Sequence, residues 1–163
     1  VAAGTYEKAL AAIVVNLKRV PHLPTRAAEL LRFATKRMEI GDPAIVVPIP
    51  LSKLRLLERG YNQAEILARE VGSASNLQVI PAALVRKRQT PMHRVAMDKK
   101  AREMTVEKAF EVRGKRMIDG KEVVLVDDVF TSGATASACA LLLKKNGARR
   151  VTVLTLARAV MYK

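Results

Sequence analysis

Apolar positions recur at helical spacing through the first forty residues. Beyond them, helical faces alternate with short unbroken apolar runs. Tyr6, Ala9, Leu10, Ile13, Val14 and Leu17 fall at i, i+3, i+4, i+7, i+8 and i+11, which is one face of an amphipathic helix over 6–17. Pro21 and Pro24 break it. Thr25 is placed to cap a second helix over 25–39, with Ala27, Leu30, Leu31 and Ala34 inward. Gly41, Asp42 and Pro43 end that helix, and Ala44 to Ile49 form a continuous apolar run, the mark of a strand buried on both faces. Asn62, with Glu65 three residues on, opens a helix in a variant capping box, its face made of Ala64, Leu67, Ala68 and Val71. Residues 78–85 read as a short strand or pair, and Phe110 and Val112 alternate as another. Gly114 and Gly120 punctuate the chain before a strand over 122–127. A helix over 134–145 stops at Asn146 and Gly147, and a last strand covers 151–156. Residues 86–108 are polar and rich in cations with no period, the pattern of a long loop, and no internal repeat appears.

Strands alternating with helices from residue 44 onward specify an α/β fold with a mostly parallel central sheet and helices on both faces. The organisation expected is a single domain over 1–163, with an N-terminal helical part (1–43) and a ligand-binding core (44–163). Ligands of such sheets sit beyond the carboxyl ends of the strands. The strands 44–49 and 122–127 then end on one side, bringing Lys53, Arg55 and Arg59 towards Asp127 and Asp128.

Composition narrows the classes. The chain has 163 residues, enough for one real core, and at 4% aromatic content that core is built from Leu, Val, Ile and Ala. No apolar run reaches the roughly 18–20 residues of a membrane span. The apolar stretch 9–17 is too short for a signal peptide and has no cleavage pattern. The single cysteine, Cys139, excludes an internal disulfide and a cysteine-cluster zinc site; it reads as a small core residue, and a reducing cytoplasm is the expected location. The net charge of +14 is more than a small anionic ligand needs, so single-stranded DNA or an acidic protein is kept as a second partner class beside solubility alone. Nothing in the sequence sets the oligomeric state, and a homodimer stays open.

The chemistry concentrates in residues 124–135, VLVDDVFTSGAT. A strand delivers two adjacent carboxylates, Asp127 and Asp128, and then Thr131, Ser132, Gly133, Ala134 and Thr135 open a helix. The first amides of a helix lack intrahelical partners and the helix dipole favours an anion there. Gly133 lets the backbone approach closely, and Thr131, Ser132 and Thr135 add hydroxyl donors. No cation lies inside this turn, and neither G-x-x-x-x-G-K-[ST] nor G-x-G-x-x-G occurs. Such an element suits a phosphorylated sugar: the turn takes the phosphate, and the acids take hydroxyls or a divalent metal such as Mg²⁺.

This run resembles the binding motif for phosphoribosyl pyrophosphate (PRPP) in type I phosphoribosyltransferases. Residues 48–63, PIPLSKLRLLERGYNQ, resemble the P-x-P-L…R-G-[FY]-N-Q signature of the competence protein F (ComF) family. Arg86, Thr90, Arg102, Ala109 and Phe110 follow in the order of that family's middle region, and residues 155–158 also fit, so the similarity runs from about Tyr6 to Arg158. The resemblance implies a three-layer type I phosphoribosyltransferase-like fold with added N-terminal helices and a flexible hood or lid loop over 86–108. It implies PRPP as ligand, Mg²⁺ as cofactor and transfer of a phosphoribosyl group with release of pyrophosphate. Thr131, Ser132, Gly133, Ala134 and Thr135 would hold the 5-phosphate, and Asp127 and Asp128 the ribose hydroxyls, with Mg²⁺ held directly or indirectly. Lys53, Arg55 and Arg59 would face the pyrophosphate, and Arg86 and Arg102 would clamp phosphate from the lid. What Asn62 and Gln63 contact is open, beyond a helix cap for Asn62. Two departures stand out: the family's Cys-rich zinc-binding segment is not present in this sequence, and Met92 and His93 replace its frequent Gln after the lid proline. Three readings follow: a PRPP-dependent transferase of unknown acceptor, a non-catalytic PRPP or nucleotide-binding module, and an accessory protein of DNA uptake (competence).

Overall fold

The computed structural model describes residues 1–87 and 109–159. A five-stranded sheet has the order β1–β7–β6–β2–β3, with β1 Ala2–Thr5, β2 Ala44–Pro48, β3 Gln78–Val79, β6 Glu122–Phe130 and β7 Arg150–Arg158. Every pairing in it is parallel. The helices are α1 Lys8–Leu17, α2 Thr25–Lys36, α3 Lys53–Arg59, α4 Gln63–Ser75, α5 Lys115–Ile118 and α6 Ala134–Lys145. An antiparallel hairpin, β4 Leu84–Arg86 with β5 Phe110–Val112, stands beside the sheet.

Successive strand residues point to opposite faces, and each central strand is apolar on both. Val46, Val124, Val126, Leu154 and Leu156 pack with Val14, Leu17, Leu31, Leu67 and Val71 of α1, α2 and α4. Ile45, Val47, Val123 and Leu125 pack on the other face with Cys139 and Leu143 of α6, Ile118 of α5, and Leu84 and Phe110 of the hairpin. These three layers are the α/β arrangement that the pattern implied. Cys139 is fully buried, and burial pushes its thiol up, out of the nucleophilic range.

Several boundaries differ from the sequence reading. The N-terminal part is not helical throughout: β1 adds an edge strand to β7, with Ala2 in register with Thr155. Four residues with two alanines and a glycine carry no strand signature, and only the exposed edge of β7 makes them one. Pro24 takes the cap position of α2 and Thr25 lies inside it, while Leu30 is largely exposed rather than inward. The segment after Pro50, to which the sequence reading assigned no element, is helix α3, capped by Ser52, whose hydroxyl accepts from the Arg55 amide. Strand β6 runs on past the acids to Phe130, because β7 continues beside it as far as Arg158. Glu65 pairs with Arg69, one turn on, at 2.5 Å. The lid residues Thr90, Met92, His93 and Arg102 lie outside the described residues. Among the described residues no helix is long and apolar enough to cross a membrane.

Candidate functional site

Because the sheet is parallel, the carboxyl ends of β2, β6 and β7 share one rim, and the chemistry-bearing residues gather there. Two cavities adjoin on it. The smaller, about 230 Å³, is lined by Asp127 to Ala136 together with Lys18 and Thr155. The larger, about 520 Å³, is lined by Lys18, Arg55, Arg59, Gln63 and Arg86 with Asp127, Asp128 and Thr135. Lys18, both aspartates and Thr135 belong to both.

The turn that closes the smaller cavity is set by Gly133, whose φ of 76° is left-handed and which stands at the cap of α6. Among the described residues the amides of Thr131, Ser132, Gly133 and Thr135 have no intramolecular partner, and that of Ala134 reaches only the Ser132 hydroxyl at 3.4 Å. The Thr155 hydroxyl, at 1% exposure, is likewise without a partner among the described residues and belongs to the wall of this cavity. A buried hydroxyl left unpaired costs about 1–3 kcal/mol, so the cavity is lined by donors that a bound anion would satisfy. A Cβ on Gly133 would stand 2.5 Å from the Phe130 ring, on which the Arg158 guanidinium sits at 5.6 Å. Gly133→Ala is therefore expected to cost about 2 kcal/mol, from the left-handed backbone plus the displaced ring, and to lower the melting temperature by about 4–8 °C. Thermal denaturation followed by circular dichroism reads this, and an unchanged midpoint would show that the turn relaxes freely.

The two acids are not equivalent. Each folds one oxygen back onto the next amide: Asp127 Oδ1 accepts from Asp128 N at 2.9 Å, and Asp128 Oδ1 from Val129 N at 2.8 Å. Both carboxyls line the two cavities, and each lies within reach of the other. Asp128 turns towards α1 and α4, where its Oδ2 forms an ion pair with Lys18 Nζ and accepts a hydrogen bond from Gln63 Nε2, each at 3.4 Å. The Asp127 charge acts on Cys139 of α6 and Arg86 of the hairpin, and its carboxyl also meets that of Asp128. Burial first, and then the Asp128 charge, push the Asp127 carboxyl up to about 7.

The larger cavity collects cations. Arg55 and Arg86 stand close enough that the Arg55 charge, after burial itself, presses the Arg86 guanidinium's pKa down. Arg86 also lies 5.3 Å over the Phe110 ring. Of the cations expected to face pyrophosphate, Arg55 and Arg59 are brought to the acids and Lys53 is not. Lys53 lines a neighbouring cavity of about 370 Å³, with Lys87, Glu111 and Arg113. Arg55 and Arg59, four residues apart, share one face of α3, and Lys53, two residues before Arg55, lies on the opposite side of the helix.

The structure answers what the R-G-Y-N-Q run contacts. Gly60 ends α3 in a left-handed conformation at φ 81°. Arg59 donates to Gln63 Oε1, which orients the amide so that its NH₂ donates to Asp128. The Tyr61 hydroxyl donates to the Leu17 carbonyl at 2.8 Å, and Asn62 caps α4 while its NH₂ holds the Ile49 carbonyl at 3.0 Å. Gln63 and Lys18 are the site residues that sequence reasoning missed. The placement of Gln63 in the signature was a usable signal, whereas nothing in the sequence near Lys18 marks it.

Comparison with known proteins agrees with this fold. Residues 54–161 match the family described as the phosphoribosyl transferase domain. Competence protein F of Haemophilus influenzae is 31% identical over 79% of this chain and 56% of that protein. DNA utilization protein YhgH of Salmonella typhi is 31% identical over 98% of this chain and 72% of its own length. The chain spans about half the length of further curated relatives with the same names. Among solved structures, glutamine phosphoribosylpyrophosphate amidotransferase of B. subtilis superposes with a TM-score of 0.54 at 17% identity, over 80% of this chain and 26% of that one. At that identity the likeness concerns the fold.

Proposed function

The chain belongs to the phosphoribosyl transferase domain family, in its competence protein F branch, and from that premise we propose that it binds PRPP and transfers the phosphoribosyl group with release of pyrophosphate. The observation that carries this reading is the convergence, at one rim of the sheet, of free turn amides, two carboxylates and two arginines from α3 around adjoining cavities. The 5-phosphate enters the turn 131–135, where amides and hydroxyls meet it with no strain on the backbone. Asp127 Oδ2 and Asp128 accept from the ribose hydroxyls, which fixes the ring. Arg55, Arg59 and Arg86 meet the diphosphate and stabilise the charge that builds on it as the bond from C1 breaks and the diphosphate leaves with the electron pair. The acceptor's nucleophile forms the new bond at C1 and loses its proton.

The described residues suit a divalent cation that arrives with the diphosphate. They hold no group of three or more His, Cys, Asp or Glu, but they do offer two adjacent carboxylates beside the cation-lined cavity. Magnesium is commonly bound by one or two carboxylates together with substrate phosphates. Bound there it would supply charge neutralisation on the leaving group.

The relatives' names and the net charge of +14 support a second reading, in which this fold serves DNA handling and its basic surface binds single-stranded DNA. Titration calorimetry with PRPP and Mg²⁺, followed by a pyrophosphate-release assay across a panel of bases, separates the two. Saturable binding with release is the expected result. Binding without release on any acceptor would make the protein a PRPP-binding module. No binding to PRPP, with a steep salt dependence on single-stranded DNA, would overturn the first reading in favour of the second.

A further inference from the structure

We propose that Lys18, just beyond the last residue of α1, is the side-chain cation for the sugar's phosphate and couples phosphate binding to the readiness of Asp128. The inference rests on the reading above and deepens it.

The turn 131–135 supplies amides and hydroxyls but no charge, and a phosphate ester brings about two negative charges at neutral pH. Among the described residues lining the smaller cavity, Lys18 is the one cation. It comes from a helix outside the matched stretch 54–161. Its backbone is firmly placed. The preceding residue, Leu17, is fully buried, the Leu17 carbonyl accepts from Tyr61, and the next two amides, of Arg19 and Val20, close on the Asn16 carbonyl at 2.8 and 2.9 Å. Its side chain is less constrained, at 41% exposure against 10% for Asp128, and the Nζ to Oδ2 distance of 3.4 Å is long for a charge-assisted bond. A Lys ammonium is a compact charge on a flexible stem with three donors, so it can serve a phosphate and a carboxylate together.

Two states follow. With the cavity free of phosphate, Lys18 offsets the nearly buried Asp128 charge and also draws down the Asp127 carboxyl against its burial. With a phosphate in the turn, Lys18 shares its charge with the ester, and Asp128 Oδ2 gains the capacity to accept a ribose hydroxyl. Gln63 continues to hold the carboxylate in place throughout. The device favours phosphorylated sugars over free ones, because only the phosphate draws Lys18 away from the acid.

The larger cavity provides the control. It is also lined by Lys18, but three arginines stand in it, so losing one charge of four matters less there. Calorimetry on Lys18→Met with ribose 5-phosphate and with inorganic pyrophosphate tests the proposal. Ribose 5-phosphate affinity should fall by about tenfold, the scale of one lost hydrogen bond to a charged group, while pyrophosphate affinity falls by less than about threefold. Lys18→Arg should keep most of the ribose 5-phosphate affinity. An equal loss of both ligands, no loss of ribose 5-phosphate, or a Lys18→Arg protein as weak as Lys18→Met would reduce Lys18 to a structural partner of Asp128. A wild-type protein that binds neither ribose 5-phosphate nor PRPP would overturn the functional reading itself, and this inference with it. Normal wild-type binding with an unaffected Lys18→Met overturns the inference alone.

Discussion

Asp127→Asn and Asp128→Asn should each cut pyrophosphate release by about a hundredfold or more, yet shift stability in opposite directions. Asp128 is the hub of the site. Its Oδ2 receives Lys18 and Gln63, and an Asn there leaves the ammonium without its counter-ion. The Asp128 variant should melt lower than wild type by about 2–4 °C, which corresponds to about 1 kcal/mol for an ion pair whose Lys partner is 41% exposed, in a chain of this size. Asp127 is in the reverse position, because burial and the neighbouring carboxylate raise its pKa to about 7. A carboxyl whose folded pKa exceeds its unfolded value binds more protons in the folded state, so its contribution to stability falls as pH rises. The window runs from the unfolded value of 3.8 to about 7, and the penalty is constant above it. Asp127→Asn removes that penalty. It should therefore melt higher than wild type at pH 8, with a gain that shrinks steadily on acidification towards pH 4. Thermal melts of the three proteins across that range, beside the release assay, decide the matter. An Asp127→Asn protein that is less stable than wild type at pH 8, or that retains turnover, contradicts the role given to the acid.

Removing the two α3 arginines of the larger cavity is the second large effect. Arg55→Gln with Arg59→Gln should weaken inorganic pyrophosphate binding by about a hundredfold, since two charges that face the anion are lost. The crowding of Arg55 against Arg86 supports this, because like charges gathered at a partly buried rim are costly unless an anion joins them. Arg59 has a second duty: it orients Gln63, and through it Asp128. Lys53→Gln is the informative comparison. It removes one charge from the same short helix, but Lys53 lines the neighbouring cavity, so pyrophosphate affinity should change by less than about threefold. Competition binding at fixed ionic strength reads all three. A Lys53 variant as impaired as the double arginine variant would mean that the anion spans both cavities.

The periodicities explain how much could be read in advance. Ala44 to Pro48 and Val123 to Val126 are apolar at every step, and only a strand covered on both faces accepts that pattern. The spacing of Ala64, Leu67, Ala68 and Val71 permits little besides the inner face of α4, and all four are buried. Where the reading failed, neighbours outweighed local preference. Leu30 fits the helical spacing but stays 39% exposed, whereas Ala28 and Thr35 are buried. The Thr35 hydroxyl is accommodated because it donates to the Leu31 carbonyl at 2.8 Å. Strand β1 exists because β7 has an open edge, and β6 extends past its acids because β7 pairs with it there.

By itself the sequence determined the α/β class, the sheet-buried strands and a continuous run that carries acids and turn together, because each depends on residues close in the chain. Tertiary structure alone decided which distant groups meet that run. Lys18 reaches Asp128 across 110 positions and Gln63 across 65, Tyr61 anchors the end of α1, and Lys53 is turned into another cavity. No local propensity encodes such meetings. They follow from how the layers pack, and packing is a property of the whole chain.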